Sequence, residues 1–191
     1  MKIKIADLKK QLKTYEQKEL IELIVEMFKS NKDVQNYLSS KFLGDVVIDE
    51  LFQQAQKKIN NEFFPDRGHG KLWLAEAKKE ITAFKKATND EKRTVHLMLF
   101  YVEMGVEFTN AYGDIDEQFY SSMVKMFDQV AMECDRDEEL YKVFSNRLEN
   151  VLNKADGTGW WFHEPLEEIY YTIEWVHDED DDEEEEDVGE D

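Results

Sequence analysis

Cysteine, proline and glycine are scarce in this 191-residue chain, and each scarcity excludes something. The single cysteine, Cys134, has no partner for an intramolecular disulfide, so the fold cannot depend on an oxidising compartment. One cysteine also cannot supply the paired-cysteine spacing of a structural zinc site. With only two prolines and eight glycines, and with many Glu, Lys, Leu and Gln residues, the composition favours helix over strand.

Long apolar runs are missing as well. The best run, LMLFYV at 97–102, falls far short of the roughly 20 residues that a membrane span needs. The first residues, MKIKIADLKKQLK, are charged throughout and lack the apolar stretch of a signal peptide. We therefore expect a cytoplasmic protein with no membrane contact.

The glycine patterns of phosphate-binding loops and dinucleotide folds do not occur. A ferritin-like di-iron site needs two Glu-x-x-His pairs, and the chain has one, Glu174 with His177, next to an acidic run. Cys134 stands among Glu133, Asp135 and Asp137, which disfavour a reactive thiolate. The sequence therefore predicts no cofactor and no metal.

Basic residues are in short supply, and their distribution is uneven. The chain has 24 Lys and Arg against 44 Asp and Glu, a net charge of −20. Residues 1–95 hold 19 bases and 15 acids, whereas residues 96–191 hold 5 bases and 29 acids. This balance disfavours nucleic acid as a partner, because the net negative charge repels phosphates. It favours another protein as the partner, and a basic one if the acidic end is what binds.

That acidic end is the segment 178–191, DEDDDEEEEDVGED, with twelve acids and no base. Self-repulsion and the lack of apolar side chains predict a disordered tail. Residues 1–177 then form a single helical domain, since their length suits one hydrophobic core.

Apolar residues recur at helical spacing along nearly the whole of residues 1–177, and no stretch alternates as a strand does. About nine helices with short connections predict an all-α fold, an irregular antiparallel bundle or a short α-solenoid. The central helix should be the sixth, which is the most apolar. Local patterns predict these helix ends: a capping box at Thr14 and Gln17, a cap at Asn89, a stop at Gly113, a capping box at Asp114 and Glu117, and a ninth helix that follows Pro165.

The sixth helix carries one polar stripe. Its side chains lie within about 60° of one another at roughly 100° per residue, and two acids follow its end. The stripe and these acids are His96, Glu103, Glu107, Asn110, Asp114 and Asp116. A histidine and several carboxylates could bind a divalent metal or act as an acid–base pair. Alternatively, the stripe is the solvent-facing side of a buried helix, and the two acids cap the next helix.

Two further segments have competing interpretations. The loop 64–71, FPDRGHGK, offers Arg67, His69 and Lys71 as anion contacts, or is simply an exposed turn. The aromatic stretch 157–171, which includes Trp160 and Trp161, either locks the last helix onto the core or lines a ligand pocket.

Three segments resemble a bacterial family of small helical proteins of unknown function: FFPDRG at 63–68, LMLFYVEMGVEFTNAYGDIDEQFYSSM at 97–123 and GWWFH at 159–163. The resemblance covers most of residues 1–175 and implies a lysine-rich helical pair at the start. It implies no activity, cofactor or catalytic residue. Trp161 stands where the family is expected to have a small residue, and the acidic tail is an individual extension.

The sequence therefore favours a non-enzymatic protein-interaction or scaffold protein. The alternative is a metal-dependent or acid–base enzyme that uses the polar stripe around residues 96–116. A helical ligand-binding protein is the third hypothesis.

Overall fold

The computed structural model describes residues 2–176, without the side chains of residues 159–161. This part of the chain contains nine helices of eight or more residues and no strand, so the all-α prediction is confirmed. The predicted acidic tail at 178–191 lies outside the described residues. The helices are α1 (Ile5–Leu12), α2 (Gln17–Ser30), α3 (Lys32–Leu43), α4 (Asp45–Phe63), α5 (Leu74–Thr88), α6 (Glu91–Tyr112), α7 (Glu117–Arg136), α8 (Glu138–Ala155) and α9 (Gly159–Tyr170).

The helices from α2 onward form a stack. Substantial packing occurs only between helices that are one or two places apart in chain order. Helices α4, α6 and α8 pack in sequence as one layer, and α3 with α5 and α7 with α9 form the pairs of the other. Contacts restricted to near neighbours along the chain are typical of α-solenoids. The architecture is therefore closer to the short solenoid than to the irregular bundle.

Helix α6 lies at the centre, as its composition predicts. It buries twelve of its 22 residues and packs against α4, α5, α7 and α8. The hydrophobic core extends from Ala55 in α4 to Val176. No helix in the described part of the chain combines the length and apolar character that a membrane crossing requires.

Close packing of α6 on α7 depends on one glycine. A Cβ atom on Gly105 would lie 2.2 Å from Sδ of Met123, which is fully buried in α7. A separation that short is a steric overlap, so the two helices approach too closely at this point for any other residue to fit without rearrangement.

The first three helices contribute almost nothing to the core. Neither α1 nor α2 has a buried residue, and α3 buries only Ser40. Among the described residues, thirteen of the eighteen exposed large hydrophobic side chains lie between Ile3 and Val46. This N-terminal region therefore keeps its apolar surface uncovered.

Three predicted helix starts, those of α2, α6 and α7, are wrong by one or two residues. The first capping box is formed by Glu16 and Glu19, because the Thr14 hydroxyl instead donates to the carbonyl of Gln11. Asp90 caps α6, since Asn89 adopts a left-handed conformation that ends α5. In α2 and α6, the polar residue that the pattern assigned to the cap is part of the preceding turn or helix end instead.

Two more helix ends test the sequence patterns around α7 and α9. Asp116, not Asp114, accepts from the amide of Phe119 and caps α7. The ninth helix does not follow Pro165, which lies inside it. Phe162 and Leu166, four residues apart, are both fully buried, and their burial keeps the chain helical through the proline. Gly113, with φ of 86°, ends α6 as predicted.

Candidate functional site

His96, the first residue of the predicted polar stripe, lies between aromatic side chains of two other helices. Its ring centroid is 4.9 Å from that of Phe52 in α4 and 6.1 Å from that of Phe144 in α8. Its Nε2 atom is 3.4 Å from Nε2 of Gln56. Burial, and secondarily the charge of Arg147, lowers the pKa of His96 to about 4. A half-buried neutral imidazole in this setting packs three helices together.

Glu103 forms the strongest polar contact of the stripe. Nε and Nη2 of Arg147 in α8 donate to its two carboxylate oxygens, each at 2.7 Å. The side chains of Glu103 and Arg147 are only 24% and 26% exposed. A bidentate pair of this kind fixes both distance and orientation between two helices.

The rest of the stripe also contacts neighbouring segments. Glu107 lies 3.4 Å from the ammonium group of Lys154, and Asn110 donates to the carbonyl oxygen of the same lysine. Asp114 accepts a hydrogen bond of 2.6 Å from the Tyr120 hydroxyl, and Asp116 is the α7 cap. The helical part of the stripe thus faces α4 and α8, whereas its last two acids hold the start of α7.

Within residues 2–176, no group of three or more His, Cys, Asp or Glu side chains is placed to hold a metal ion. His96, Glu103 and Glu107 are spread along the seam between α6 and α8, each with its own neighbour. The geometry gives these residues a structural role. A catalytic role for them stays a prediction.

The lowered pKa of His96 predicts a pH dependence of stability. Unfolded histidine takes up a proton below about pH 6.5, whereas folded His96 does so only near pH 4. The free energy of unfolding should therefore fall between about pH 7 and pH 4.5. We expect His96 to account for about 1–2 kcal/mol of this loss, less than the full shift implies because the ring is partly exposed.

Urea unfolding of the full chain and of His96→Phe at both pH values measures this contribution. The phenylalanine keeps the aromatic packing and cannot titrate, so the variant should lose less stability on acidification. The control is the His69→Phe variant, at an exposed position, and it should lose as much stability on acidification as the unmodified chain does. Identical losses in all three proteins would contradict the prediction.

The loop that carries Arg67, His69 and Lys71 runs from 64 to 73, and all three side chains are exposed. The ammonium of Lys71 lies 4.4 Å from the ring centroid of Trp73. No described contact joins the three candidate side chains. They share a loop, and the anion contact stays a prediction.

The thiol of Cys134 is fully buried, and burial with Glu133 and Asp137 nearby raises its pKa to about 12. The sequence anticipates this inert character. The side chains of Trp160 and Trp161 lie outside the described part of the chain.

A cleft that no pattern in the sequence predicts lies between α5 and α7. These two helices occupy the same layer without packing substantially on each other, and α6 forms the floor between them. One part of this gap, here called the α5–α7 cleft, has a volume of about 460 Å³. Its lining residues are Lys78, Ile81, Thr82, Lys85, Thr94, Met98, Met126, Gln129, Met132, Glu133 and Arg136.

A hydrogen-bonded chain closes one end of this cleft. Nζ of Lys78 donates to Oγ of Ser122 across the gap, at 2.9 Å, and the Tyr101 hydroxyl lies 2.8 Å from the same oxygen. Burial raises the pKa of Tyr101 to about 12, so the phenol stays neutral. The result is one lysine held at a fixed place by groups from α6 and α7.

The sequence does contain a signal for this arrangement. Ser122 interrupts the apolar stripe of α7, between Phe119 and Met126, at a position where burial is expected. Buried hydroxyls are hydrogen-bonded, so the position calls for a polar partner from a neighbouring helix. The identity of that partner, Lys78, depends on which helices pack together and cannot be read from spacing.

Residues 3–174 match the model of a family described as "Family of unknown function (DUF6155)". The chain belongs to DUF6155. The match spans the three segments that carry the family resemblance, so that prediction is confirmed, whereas the bacterial origin of the family stays a prediction. No curated protein and no solved structure shows a significant match to the chain. Membership of DUF6155 therefore relates the chain to a family, but it assigns no activity to the chain.

Proposed function

We propose that this protein is a non-enzymatic interaction protein whose N-terminal helices dock a second copy of the chain. The observation that supports the proposal is the uncovered apolar surface of α1 to α3. These helices have the amphipathic pattern of packed helices, yet α1 and α2 bury no residue. An apolar helix face that is exposed in the isolated chain normally marks a surface that a binding partner covers.

The area of this surface suits a stable dimer. The thirteen apolar residues between Ile3 and Val46 are 39–75% exposed. An apolar side chain of this size has a total accessible area of about 150–200 Å². At these exposed fractions the thirteen residues together expose on the order of 1,000 Å². That summed area is of the order of the about 800 Å² that each partner buries in a standard interface.

Helix α2 presents the most regular part of this surface. Four side chains here define the α2 face, and they are 39–54% exposed: Ile21, Ile24, Val25 and Phe28. Leu20 and Leu23, elsewhere on the apolar arc of the helix, are more buried. Helix α3 is the helix that packs substantially against α2. The α2 face is left for something outside the monomer.

The spacing of the α2 face favours a second copy as the occupant. Its positions i, i+3, i+4 and i+7 are symmetric about their midpoint, so an antiparallel pair related by a two-fold axis places Ile21 opposite Phe28 of the second copy and Ile24 opposite its Val25. The same register brings Glu22 near Lys29 of the second copy, twice for each dimer. Both the apolar and the charged residues are then self-complementary.

Helix α1 extends the surface. It does not pack substantially against any other helix, and it aligns Ile5, Leu8 and Leu12 on one side. Ile5 and Leu8 are 73% and 41% exposed. Covering α1 in the dimer would give an otherwise marginal eight-residue helix the tertiary packing that short helices need.

The test is the oligomeric state of the full chain, measured by sedimentation equilibrium. We expect a dimer at micromolar concentration, and Ile24→Glu should raise its dissociation constant at least about 100-fold by burying a charge at the centre of the interface. The matched control is Val143→Glu on α8. Val143 is 47% exposed, close to the 49% of Ile24, and lies outside the surface.

A charge exchange tests the register. Glu22→Lys should weaken the dimer about 5–10-fold, and adding Lys29→Glu should restore it. A chain that stays monomeric at about 100 µM, or a dimer that Ile24→Glu leaves intact, would contradict the proposal. Binding of the α2 face to anionic vesicles or to another protein, without dimerisation, would contradict it too.

Recognition of a basic protein by residues 178–191 remains a separate prediction, since these residues lie outside the described part of the chain. Dimerisation would present two acidic segments at once and strengthen any such contact through effective concentration. The enzyme alternative around residues 96–116 gains no support from the contacts that its residues make.

A further inference from the structure

The α5–α7 cleft is a gap in an otherwise continuous layer of helices. Its floor and walls hold four apolar side chains, of which Ile81, Met98 and Met126 are each less than 8% exposed and Met132 is half exposed. Unbranched methionine side chains adapt to ligands of varied shape. The apolar surface that the gap leaves accessible belongs chiefly to Met132, above a floor formed by Met98 and Met126.

The size of the cleft selects a small molecule over a peptide helix. Its volume of about 460 Å³ lies within the range of about 300–1,000 Å³ that is usual for small-molecule sites. The hydrogen bond from Lys78 to Ser122 crosses between α5 and α7 and interrupts the gap. A helix laid along the whole gap would have to break this bond, whereas a short ligand beside it would not.

The charge of the cleft is opposite to that of the protein. Three bases, Lys78, Lys85 and Arg136, line it together with one acid, Glu133. Arg136 lies 3.3 Å from Glu133, and Lys78 is held by Ser122. Lys85 has no side-chain partner among the described residues. In a chain of net charge −20, a cleft with an excess of bases marks a place suited to an anion.

We propose that the α5–α7 cleft binds a small organic anion with an apolar chain, such as a medium-chain carboxylate. The chain lies on Met98 and Met126, and the carboxylate is held between Lys78 and Lys85. Lys78 is already fixed by Ser122, so binding requires little ordering of this side chain. The site is independent of the N-terminal surface.

Octanoate is the probe, and 1-octanol is its uncharged match. Isothermal titration of the full chain should give a dissociation constant for octanoate below about 1 mM, and 1-octanol should bind at least about tenfold more weakly. Vesicles of anionic phospholipid, added to the same protein, distinguish a free acid from a lipid surface. We expect no vesicle binding that octanoate displaces.

Two pairs of variants locate the site. Lys85→Gln should weaken octanoate binding about 5–10-fold, and Lys86→Gln, at the next position outside the cleft, should change it less than about twofold. Thr82→Trp should fill the cleft and abolish binding, whereas Lys86→Trp should not. Thermal unfolding of each variant establishes that it is folded before its affinity is compared.

Absence of octanoate binding up to about 1 mM would overturn the proposal. Equal affinity for octanoate and octanol, equal effects of the Lys85 and Lys86 variants, or octanoate that still binds to folded Thr82→Trp would overturn it as well. Binding to vesicles alone would assign the basic residues to a lipid surface.

Discussion

Replacing Gly105 by leucine should lower the free energy of unfolding by more than about 3 kcal/mol, the largest single-residue effect that we expect in α6. Even one added carbon at this position would overlap Sδ and Cγ of Met123, at 2.2 and 2.9 Å. Met123 is fully buried, so its side chain can move aside only by displacing its neighbours in the core. The loss should exceed the gain of up to about 1 kcal/mol that removing a glycine from a helix interior normally brings.

Chemical denaturation measures this loss, and two further variants show its origin. Ala111→Leu, at an exposed position of the same helix, should stay within about 0.5 kcal/mol of the unmodified chain. Met123→Ala makes room for the new side chain, so the double variant with Gly105→Leu should be at least about 2 kcal/mol more stable than the sum of the single losses predicts. Additive losses would mean that α6 and α7 do not meet as described.

Arg147→Met should lower the free energy of unfolding by about 2–3 kcal/mol, since it leaves the Glu103 carboxylate partly buried without its partner. The pair is bidentate at 2.7 Å and about three-quarters buried on both sides. Methionine keeps the unbranched stem of the arginine side chain, so most of the loss reports the missing guanidinium charge.

The double variant Glu103→Leu with Arg147→Met should recover most of this loss. Nη1 of Arg147 is buried and has no hydrogen-bond partner among the described residues. A pair with an unsatisfied donor is a poor source of net stability, so an apolar replacement of both residues should be nearly neutral. Lys154→Met, which removes an exposed pair of the same two helices, should cost at most about 0.5 kcal/mol. A double variant less stable than Arg147→Met would contradict this view of the seam.

The polar stripe of α6 shows how far spacing alone could predict the candidate site. Helical periodicity correctly put His96, Glu103, Glu107 and Asn110 on one side of a central helix. It left open whether that side faces water, a pocket or another helix. The structure places Phe144, Arg147 and Lys154 of α8 against it, and these residues lie 44–48 positions away in sequence from their partners in α6. Periodicity within one helix carries no information about such a neighbour.

The α5–α7 cleft shows the opposite situation. Each lining residue looks ordinary in sequence: lysines on an exposed face of α5, and methionines of α6 and α7, of which Met98 and Met126 are buried and Met132 is exposed. Their meeting depends on α5 and α7 lying side by side without packing, a consequence of how α6 is covered by its four neighbours. Only the stacking of whole helices creates the gap.

The sequence by itself determined the helices, the central place of α6, the inert character of Cys134 and the uneven charge. These follow from local rules, because helix periodicity, the choice of breakers and charge density depend on residues close together in the chain. Tertiary structure alone decided that the stripe of α6 is a seam, that a cleft opens between α5 and α7, and that the α2 face stays uncovered. Those features depend on which apolar faces meet, and many pairings bury similar area, so the outcome is selected by side-chain fit between residues distant in sequence.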